Sequence, residues 1–392
     1  MDDKRAVFRG GMHNSDVRDQ NKRLVLSTIA VNPDCSVADL ARTTGLAPQS
    51  VMRVVDQLLL EGLILRGEQA SRDSGRRGQP STPLRLNPSG AYAVGCKLGW
   101  RHMHIVLCNM VGDILGEVQQ GYSYPDYERL LSDASASIGT LIAKIPAKHR
   151  DRFLRIGVAH PFHMSHGLFA LAAPERQHDD WNGRNIAEEM SAATGFPTIS
   201  FNDGKAACWG EFCFRDHPRP RNLAYLNVGT FVGSGLIVGS KLWEGSSGRS
   251  VNLGSMTICE NESASRTSQE LASVFAFEKL LERSGLLIPH GDPDDWDWDD
   301  LEPVTSNWIN DAAAAFSKVV ANTASILEVD TVIIDGGIPR NVVSRLVEAV
   351  EAKLSEFPEQ MFEWPRILAG RLGRSSTAIG AALRPVTQAY FL

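Results

Sequence analysis

Residues 36–62 read SVADLARTTGLAPQSVMRVVDQLLLEG, and they decide the first domain. Ser36 has the side chain of a helix N-cap. Val37, Leu40 and Ala41 then fall at i, i+3, i+4 spacing, the inner stripe of a short amphipathic helix. Gly45 breaks it. Pro48 suits the first turn of a second helix, whose buried face is Val51, Val54, Val55, Leu58 and Leu59. Gly62 ends that helix. Upstream, residues 21–29 carry Leu24, Leu26 and Ile29 in a helical pattern. Downstream, residues 63–65 start a strand, residues 66–80 (RGEQASRDSGRRGQP) form a hairpin tip, and Leu84–Leu86 is the return strand. Three helices followed by a two-stranded wing make a winged helix-turn-helix, placed by the pattern at residues 20–87. Residues 1–19, polar and glycine-containing, are expected to be a flexible arm.

This unit predicts how it would be used. With Val51, Val54 and Val55 turned inward, Gln49, Ser50 and Arg53 turn outward. Glutamine reads adenine bidentately and arginine reads guanine, whereas a serine suits a phosphate. Arg76, Arg77 and Gln79 sit in an Arg/Gly/Pro strip at the wing tip, suited to a narrow minor groove whose negative potential attracts arginine. The competing readings are a plain three-helix bundle with a polar outer face and a solvated charged loop. Helix and wing in this order favour a double-stranded DNA operator as the partner.

The bulk numbers agree once they are localised. The chain has 392 residues, 43% hydrophobic and 22% charged, which fits two or three packed domains. The net charge of −6 has the wrong sign for a DNA binder as a whole. The acid surplus, however, sits far from the wing, notably in DPDDWDWDD at residues 292–300, while the front of the chain is basic. No apolar run approaches the ~20 residues that span a bilayer, and the first residues lack the apolar core of a signal peptide. The six cysteines are scattered, as buried thiols are in a reducing cytosol. A cytoplasmic chain without membrane contact is expected. Cys208 and Cys213 have neither a second pair nor histidines at zinc-site spacing.

After Asn87-Pro-Ser-Gly90, the linker, the pattern changes. AYAVGCKLG, HMHIVLCNM and VGDILGEVQQ are β-rich. A helix is expected over residues 127–143, a buried strand in FLRIGVAHP, a helix at 186–194 and a strand in FPTISFND. Two strands flank the turn in LNVGTFVGSGLIVG. Long helices are expected at 268–284 and 308–326, then a buried strand in DTVIIDGG and a helix at 342–357. Strands alternating with helices indicate an α/β architecture, here in two related halves.

Three features in this part carry chemistry. Asn202-Asp203 ends a strand before a helix, so Asp203 is placed to act as a base toward a hydroxyl or merely to cap the helix. Gly229-Thr230-Phe231-Val232-Gly233-Ser234-Gly235 is a glycine-rich stretch able to approach a phosphate or sugar closely. Asp335-Gly336-Gly337 closes a buried strand. Each is weak alone, because glycine turns at strand ends are common. In this order behind a winged helix, with TPLRLNP at 82–88, WNGRNIAEEMSAATG at 181–195 and GAAL at 380–383, the chain resembles the ROK family of repressors and sugar kinases. That resemblance implies a two-lobed actin-like ATPase fold over residues 91–392, with a sugar cleft between the lobes and assembly as a dimer or tetramer.

The departures from the family pattern shape the functional expectation. Kinase members open this domain with an Asp-x-Gly-Gly-Thr phosphate turn. Here the stretch is Lys97-Leu98-Gly99-Trp100-Arg101, so the metal-holding carboxylate is a lysine and a tryptophan obstructs backbone approach to phosphate. The family's Glu-x-Gly-His signature is Asn252-Leu253-Gly254-Ser255, and its cysteine-rich zinc loop keeps only Cys259, too few for a tetrahedral site. The glutamate after that loop aligns with Gln269, Glu270 lying one residue off. The resemblance makes Asp203 the position of the catalytic base, expected here to be vestigial. Candidate effector contacts are Lys97, Asn202, Asp203, Asn252, Ser255 and Gln269. Lys97 would meet an acidic ligand or pair with Asp203. The expectation is a sugar-responsive DNA-binding repressor, not an enzyme, with no cofactor and no metal. A sugar kinase with a fused DNA-binding domain and a ligand-independent regulator are the alternatives.

Overall fold

The computed structural model describes residues 14–67, 82–162, 164–246, 248, 251–261, 264–358 and 363–391. The N-terminal unit comprises α1 (Asn14–Val31), α2 (Val37–Thr44), α3 (Pro48–Leu60), β1 (Ile64–Arg66) and β2 (Leu84–Leu86). The local signals act as expected. Ser36 Oγ accepts from Asp39 N while the Asp39 carboxylate accepts from Ser36 N, a reciprocal capping box. Gly45 ends α2 at φ +69°, donating its N–H to the Ala41 carbonyl, in a conformation glycine adopts without penalty. Val25, Leu26, Ile29, Leu40, Val51, Val55 and Leu58 are buried together. One expectation is corrected. The helix begins at Asn14, so residues 14–19 are helical and not part of a loose arm. Residues 16–20 are all exposed; they bury no apolar stripe, which is why periodicity could not find them.

The body contains two sheets of one design. The first has strands β3 (Tyr92–Leu98), β4 (His102–Asn109), β5 (Ile114–Gly121), β6 (Phe153–His160) and β7 (Thr198–Asn202), in the order β5-β4-β3-β6-β7. It carries α4 (Tyr127–Ala143), α5 (Met164–Ala170), α6 (Arg176–Trp181) and α7 (Ile186–Thr194). Then α8 (Asp203–Cys213) leads to the second sheet. Its strands are β8 (Leu223–Val228), β9 (Val232–Val238), β10 (Lys241–Leu242), β13 (Thr331–Gly336) and β14 (Arg366–Ala369), in the order β10-β9-β8-β13-β14. In both sheets an antiparallel meander of three is extended by two parallel strands. The hairpin β11 (Thr257–Asn261)–β12 (Ala264–Thr267) and helices α9 (Gln269–Ala272), α10 (Val274–Arg283), α11 (Val304–Ile326) and α12 (Arg340–Ser355) complete the second lobe. The continuous helix expected at 268–284 is broken. Ser273 is extended (ψ 159°) and its hydroxyl caps α10 at Ala276 N, so a capping serine interrupts a run that reads as helical throughout.

The last helix, α13 (Ser376–Tyr390), packs across α8 between the two sheets. Val106 and Cys108 of β4 and Tyr225 and Ile333 of β8 and β13 bury against this pair. Glycines permit the approach. A Cβ on Gly380 would lie 1.8 Å from the Ala206 carbonyl oxygen, and one on Gly95 of β3 would lie 1.9 Å from that of Ala378. The winged unit is seated on this body. Val386 of α13 and Met110 share its core cluster, and Arg23 donates to the Phe391 carbonyl at 3.2 Å. The linker is fastened: Asn87 Nδ2 donates to Gly62 O, and Arg152 to Ser89 O at 2.8 Å.

Candidate functional site

Two surfaces carry functional side chains. On α3, burial of Val51, Val55 and Leu58 leaves Gln49 and Arg53 exposed, while Ser50 is half-buried. Arg53 has no ion-pair partner among the described residues. Met52, 53% exposed between them, was missed from sequence because a methionine at the edge of an apolar stripe reads as core. Placed here, it suits a thymine methyl. Arg66 at the wing's first strand pairs with Asp56 of α3 at 3.6 Å, and Arg85 of the return strand pairs with Asp34. The first pair spans from the wing to α3 and the second from the wing to the loop before α2, both at the surface. Arg76, Arg77 and Gln79 lie outside the described residues.

The second surface is the cleft between the sheets, and strand register builds it. In the parallel pairs Lys97 lies opposite Ala159, and His160 opposite Asn202. The carboxyl ends of β3, β6 and β7 therefore bring Lys97, His160, Asn202 and Asp203 to one edge, the end of a parallel sheet where ligands bind. Asn202 caps α8, its Oδ1 accepting from Lys205 N at 3.1 Å. Asp203 Oδ1 accepts from Gly204 N at 2.8 Å and from Asn202 Nδ2 at 3.1 Å. Burial raises the Asp203 carboxyl, against the pull of Lys97 and His160, and burial lowers the Lys97 ammonium. Lys97 does not form an ion pair with Asp203 within 4.0 Å. Its Nζ lies 2.8 Å from His102 Nε2. An ammonium can only donate, so Nε2 accepts and the imidazole proton sits on Nδ1, which faces Asp292 Oδ2 at 4.0 Å. Burial and the Lys97 charge push His102 well down, consistent with a neutral ring.

The turn after Lys97 ties the lobes together. Arg101 makes a bidentate ion pair with Glu278 of α10, with Nη2 donating to Oε2 at 2.9 Å. The Glu278 side chain is 3% exposed. Trp100 meets Phe231 of the second lobe edge-on, at 5.1 Å between ring centroids, and Phe231 contacts Phe275 in turn. Trp100 occupies its place because Gly167 leaves room; a Cβ there would lie 2.2 Å from the indole. Sequence reasoning missed Glu278, His102 and His160. His160 ends a buried strand and was findable by the strand-end rule. Glu278 carried no signal, being one glutamate on an amphipathic helix.

Packing against α8 accounts for part of the glycine-rich stretch. A Cβ on Gly204 would lie 2.3 Å from Ser234 N, and one on Gly235 would lie 2.4 Å from Cys208 Cβ. These glycines let β9 and α8 touch. The turn itself accepts from α10, through Gly229 O to Val274 N at 2.9 Å and Thr230 O to Phe275 N at 3.2 Å. Ser234 Oγ accepts from Leu253 N, and Ser268 Oγ donates to Leu253 O and Gly254 O. This chain of contacts links the edge holding Asp203 to the turn bearing Asn252 and Ser255, both exposed, and to half-buried Gln269. Glu270 is engaged by Thr267 N and Oγ1. In the second lobe Asp335 accepts from Gly373 N at 2.8 Å. Its carboxyl is pushed up to about 7, first by burial and then by the neighbouring Glu211 carboxylate. Among the described residues no group of three or more His, Cys, Asp or Glu side chains is arranged to hold a metal ion.

The sequence matches the ROK family over residues 93–384. The chain belongs to the ROK family. The winged unit matches the MarR family over residues 19–77. The xylose repressor of Caldicellulosiruptor bescii is 28% identical over 315 residues, covering 79% of this chain and 76% of that one. Among solved structures, a ROK family transcriptional regulator, a homolog of the E. coli MLC protein, superposes with a TM-score of 0.67 at 19% identity over 95% and 96% of the two chains. A ROK family glucokinase from Streptomyces griseus, solved with glucose and AMPPNP, gives 0.57 at 18% identity over 75% of this chain and 99% of that one. The two-lobed body is thus a ROK body. Lys97, Trp100 and Arg101 are each engaged by their own chain, through His102, Phe231 and Glu278 respectively.

Proposed function

We propose that this chain is a ROK-family transcriptional repressor that reads a DNA operator through α3 and the wing and takes a sugar or sugar-derived effector in its cleft, without kinase activity. One observation carries the reading. An outward face of Gln49, Met52 and Arg53 sits on a ROK body in which Trp100 and an arginine committed to Glu278 fill the stretch that the resemblance sets against a kinase phosphate turn. The repressor names of its relatives support the same reading. A dimer or tetramer would present two such faces to a two-fold operator. The effector would bind between the lobes, with Lys97, Asn202, Asp203, Asn252, Ser255 and Gln269 as contacts, and would shift the population of DNA-competent states. No helix among the described residues is long and apolar enough to cross a membrane, which suits a cytoplasmic DNA-bound role.

The test is to select bound genomic DNA with the full chain and measure affinity for the recovered operator. Arg53→Ala should weaken it by ~1–3 kcal/mol, the worth of a good base contact; unchanged affinity would remove Arg53 from the interface. Arg76→Ala with Arg77→Ala should weaken binding and reduce its salt dependence. Sugar-dependent ATP turnover that Asp203→Asn abolishes would establish the kinase alternative instead. The Arg101–Glu278 pair across the cleft and the exposed Asn252 and Ser255 also favour a second reading, a ligand-independent regulator. A sugar and sugar-acid panel in thermal-shift assays separates the two, because a cleft ligand raises the melting temperature by mass action.

A further inference from the structure

A second hollow lies away from the cleft. A cavity of about 730 Å³ lies where the winged unit sits on the body, within the size range of small-molecule sites. Its walls come from both sides of that junction: Val31 and Leu86 from the winged unit, and Trp209, Phe212, Leu383 and Val386 from α8 and α13. The chemistry of the walls is lopsided. They are mainly apolar, and no Asp or Glu is among the lining residues, whereas Arg85 and Arg219 are. Arg85 is neutralised by Asp34. Arg219 is not neutralised. Its guanidinium lies 5.3 Å above the Phe212 ring and donates to the carbonyls of Arg215 and Cys213. It has no carboxylate within ion-pair distance among the described residues. Burial lowers its pKa, as desolvation does for a cation.

We propose that this junction cavity is a binding site for a small organic carboxylate with an aromatic or branched aliphatic body, its acid group on Arg219 and its body against Trp209, Phe212 and Leu383. The site is separate from the cleft and belongs to the joint between the DNA-reading unit and the ROK body. One helix reaches both: α13 starts beside Arg374, which pairs with Asp295 at 3.1 Å near the cleft, and ends at the cavity and at the Arg23–Phe391 hydrogen bond to α1. A ligand wedged between α1 and α13 binds best to one seating of the winged unit, and so biases operator affinity by differential binding.

The probes are 4-phenylbutyrate and its neutral counterpart 4-phenylbutanol, titrated calorimetrically into the full chain without DNA, so the result does not depend on the operator or on the cleft ligand. The acid should bind more tightly than the alcohol. Arg219→Gln should weaken the acid about tenfold, the scale of one charge-assisted hydrogen bond, and leave the alcohol unchanged. Val31→Trp, at an exposed position on the rim, should exclude both while leaving the circular dichroism spectrum and melting temperature intact. Absence of acid binding at millimolar concentration overturns the proposal. So does acid binding that neither substitution affects. A sedimentation change from dimer to monomer in Val31→Trp also overturns it, by assigning the face to a second copy of this chain.

Discussion

At the scale of single residues, one position with a pH-dependent contribution to stability is Asp335. It is fully buried, lies beside Glu211, and keeps its proton in the fold up to about pH 7. An unfolded aspartate loses that proton near 3.8. Between those values the folded state binds more protons, so stability is fully present below about pH 4 and declines as pH rises through 7. The unfolding midpoint in urea should therefore fall from pH 5 to pH 8. Asp335→Asn, which keeps an acceptor for Gly373 N, should flatten that slope. A slope unchanged by the substitution would place the titrating group elsewhere. Sequence alone marked Asp335 only as a carboxylate before two glycines. Its altered acidity comes first from burial in the finished core and then from Glu211, more than a hundred residues away in the chain, so no local pattern contains it. The outward faces of Gln49 and Arg53, by contrast, were readable from three valines, because helical periodicity fixes which side is buried.

At the scale of elements, glycines divide by what stands opposite them. Gly380 of α13 faces the Ala206 carbonyl so closely that an added Cβ would stand 1.8 Å away. Gly380→Ala should force the two helices apart and cost about 1–3 kcal/mol, as overpacking does. Gly139 of α4 faces open space and is exposed. Gly139→Ala should stabilise by about 0.5–1 kcal/mol through helix propensity. Chemical denaturation of both variants checks the contrast, and equal effects would refute the packing assignment. The GAAL segment could be matched to a family from sequence, but its physical role is the crossing with α8. The elements read best in advance, α2, α3 and α4, carry their own caps and stripes. The break at Ser273 was missed because the run on either side is helical in character. The short helices α5 and α6 were missed because they are too brief to show a period.

At the scale of the whole molecule, the lobes are joined across the cleft by Arg101 and Glu278, 177 residues apart. Arg101→Ala would leave a buried carboxylate without its partner. Because the arginine is partly exposed, the cost should be about 2–3 kcal/mol, below that of breaking a fully buried pair. Arg101→Ala with Glu278→Ala should recover part of that loss, which a double-mutant cycle measures. Strict additivity would mean that the pair does not couple the lobes. The same bridge bears on the proposed function, since an effector entering the cleft must accommodate or break it.

What the sequence determined by itself is local and periodic: the capped helices and wing strands of the first unit and the strand-helix alternation of the body; the family resemblance added the expectation that Lys97 stands in place of a phosphate-turn aspartate. Helix caps and burial stripes act within a few residues, so they are written where they operate. The tertiary structure alone decided what those replacements do. It paired Lys97 with His102, closed Arg101 on Glu278, turned the glycine stretch into a helix-strand contact, and set Arg219 in an apolar cavity between domains. Each of these depends on residues that folding brings together from distant parts of the chain, and on the desolvation that only a completed core imposes.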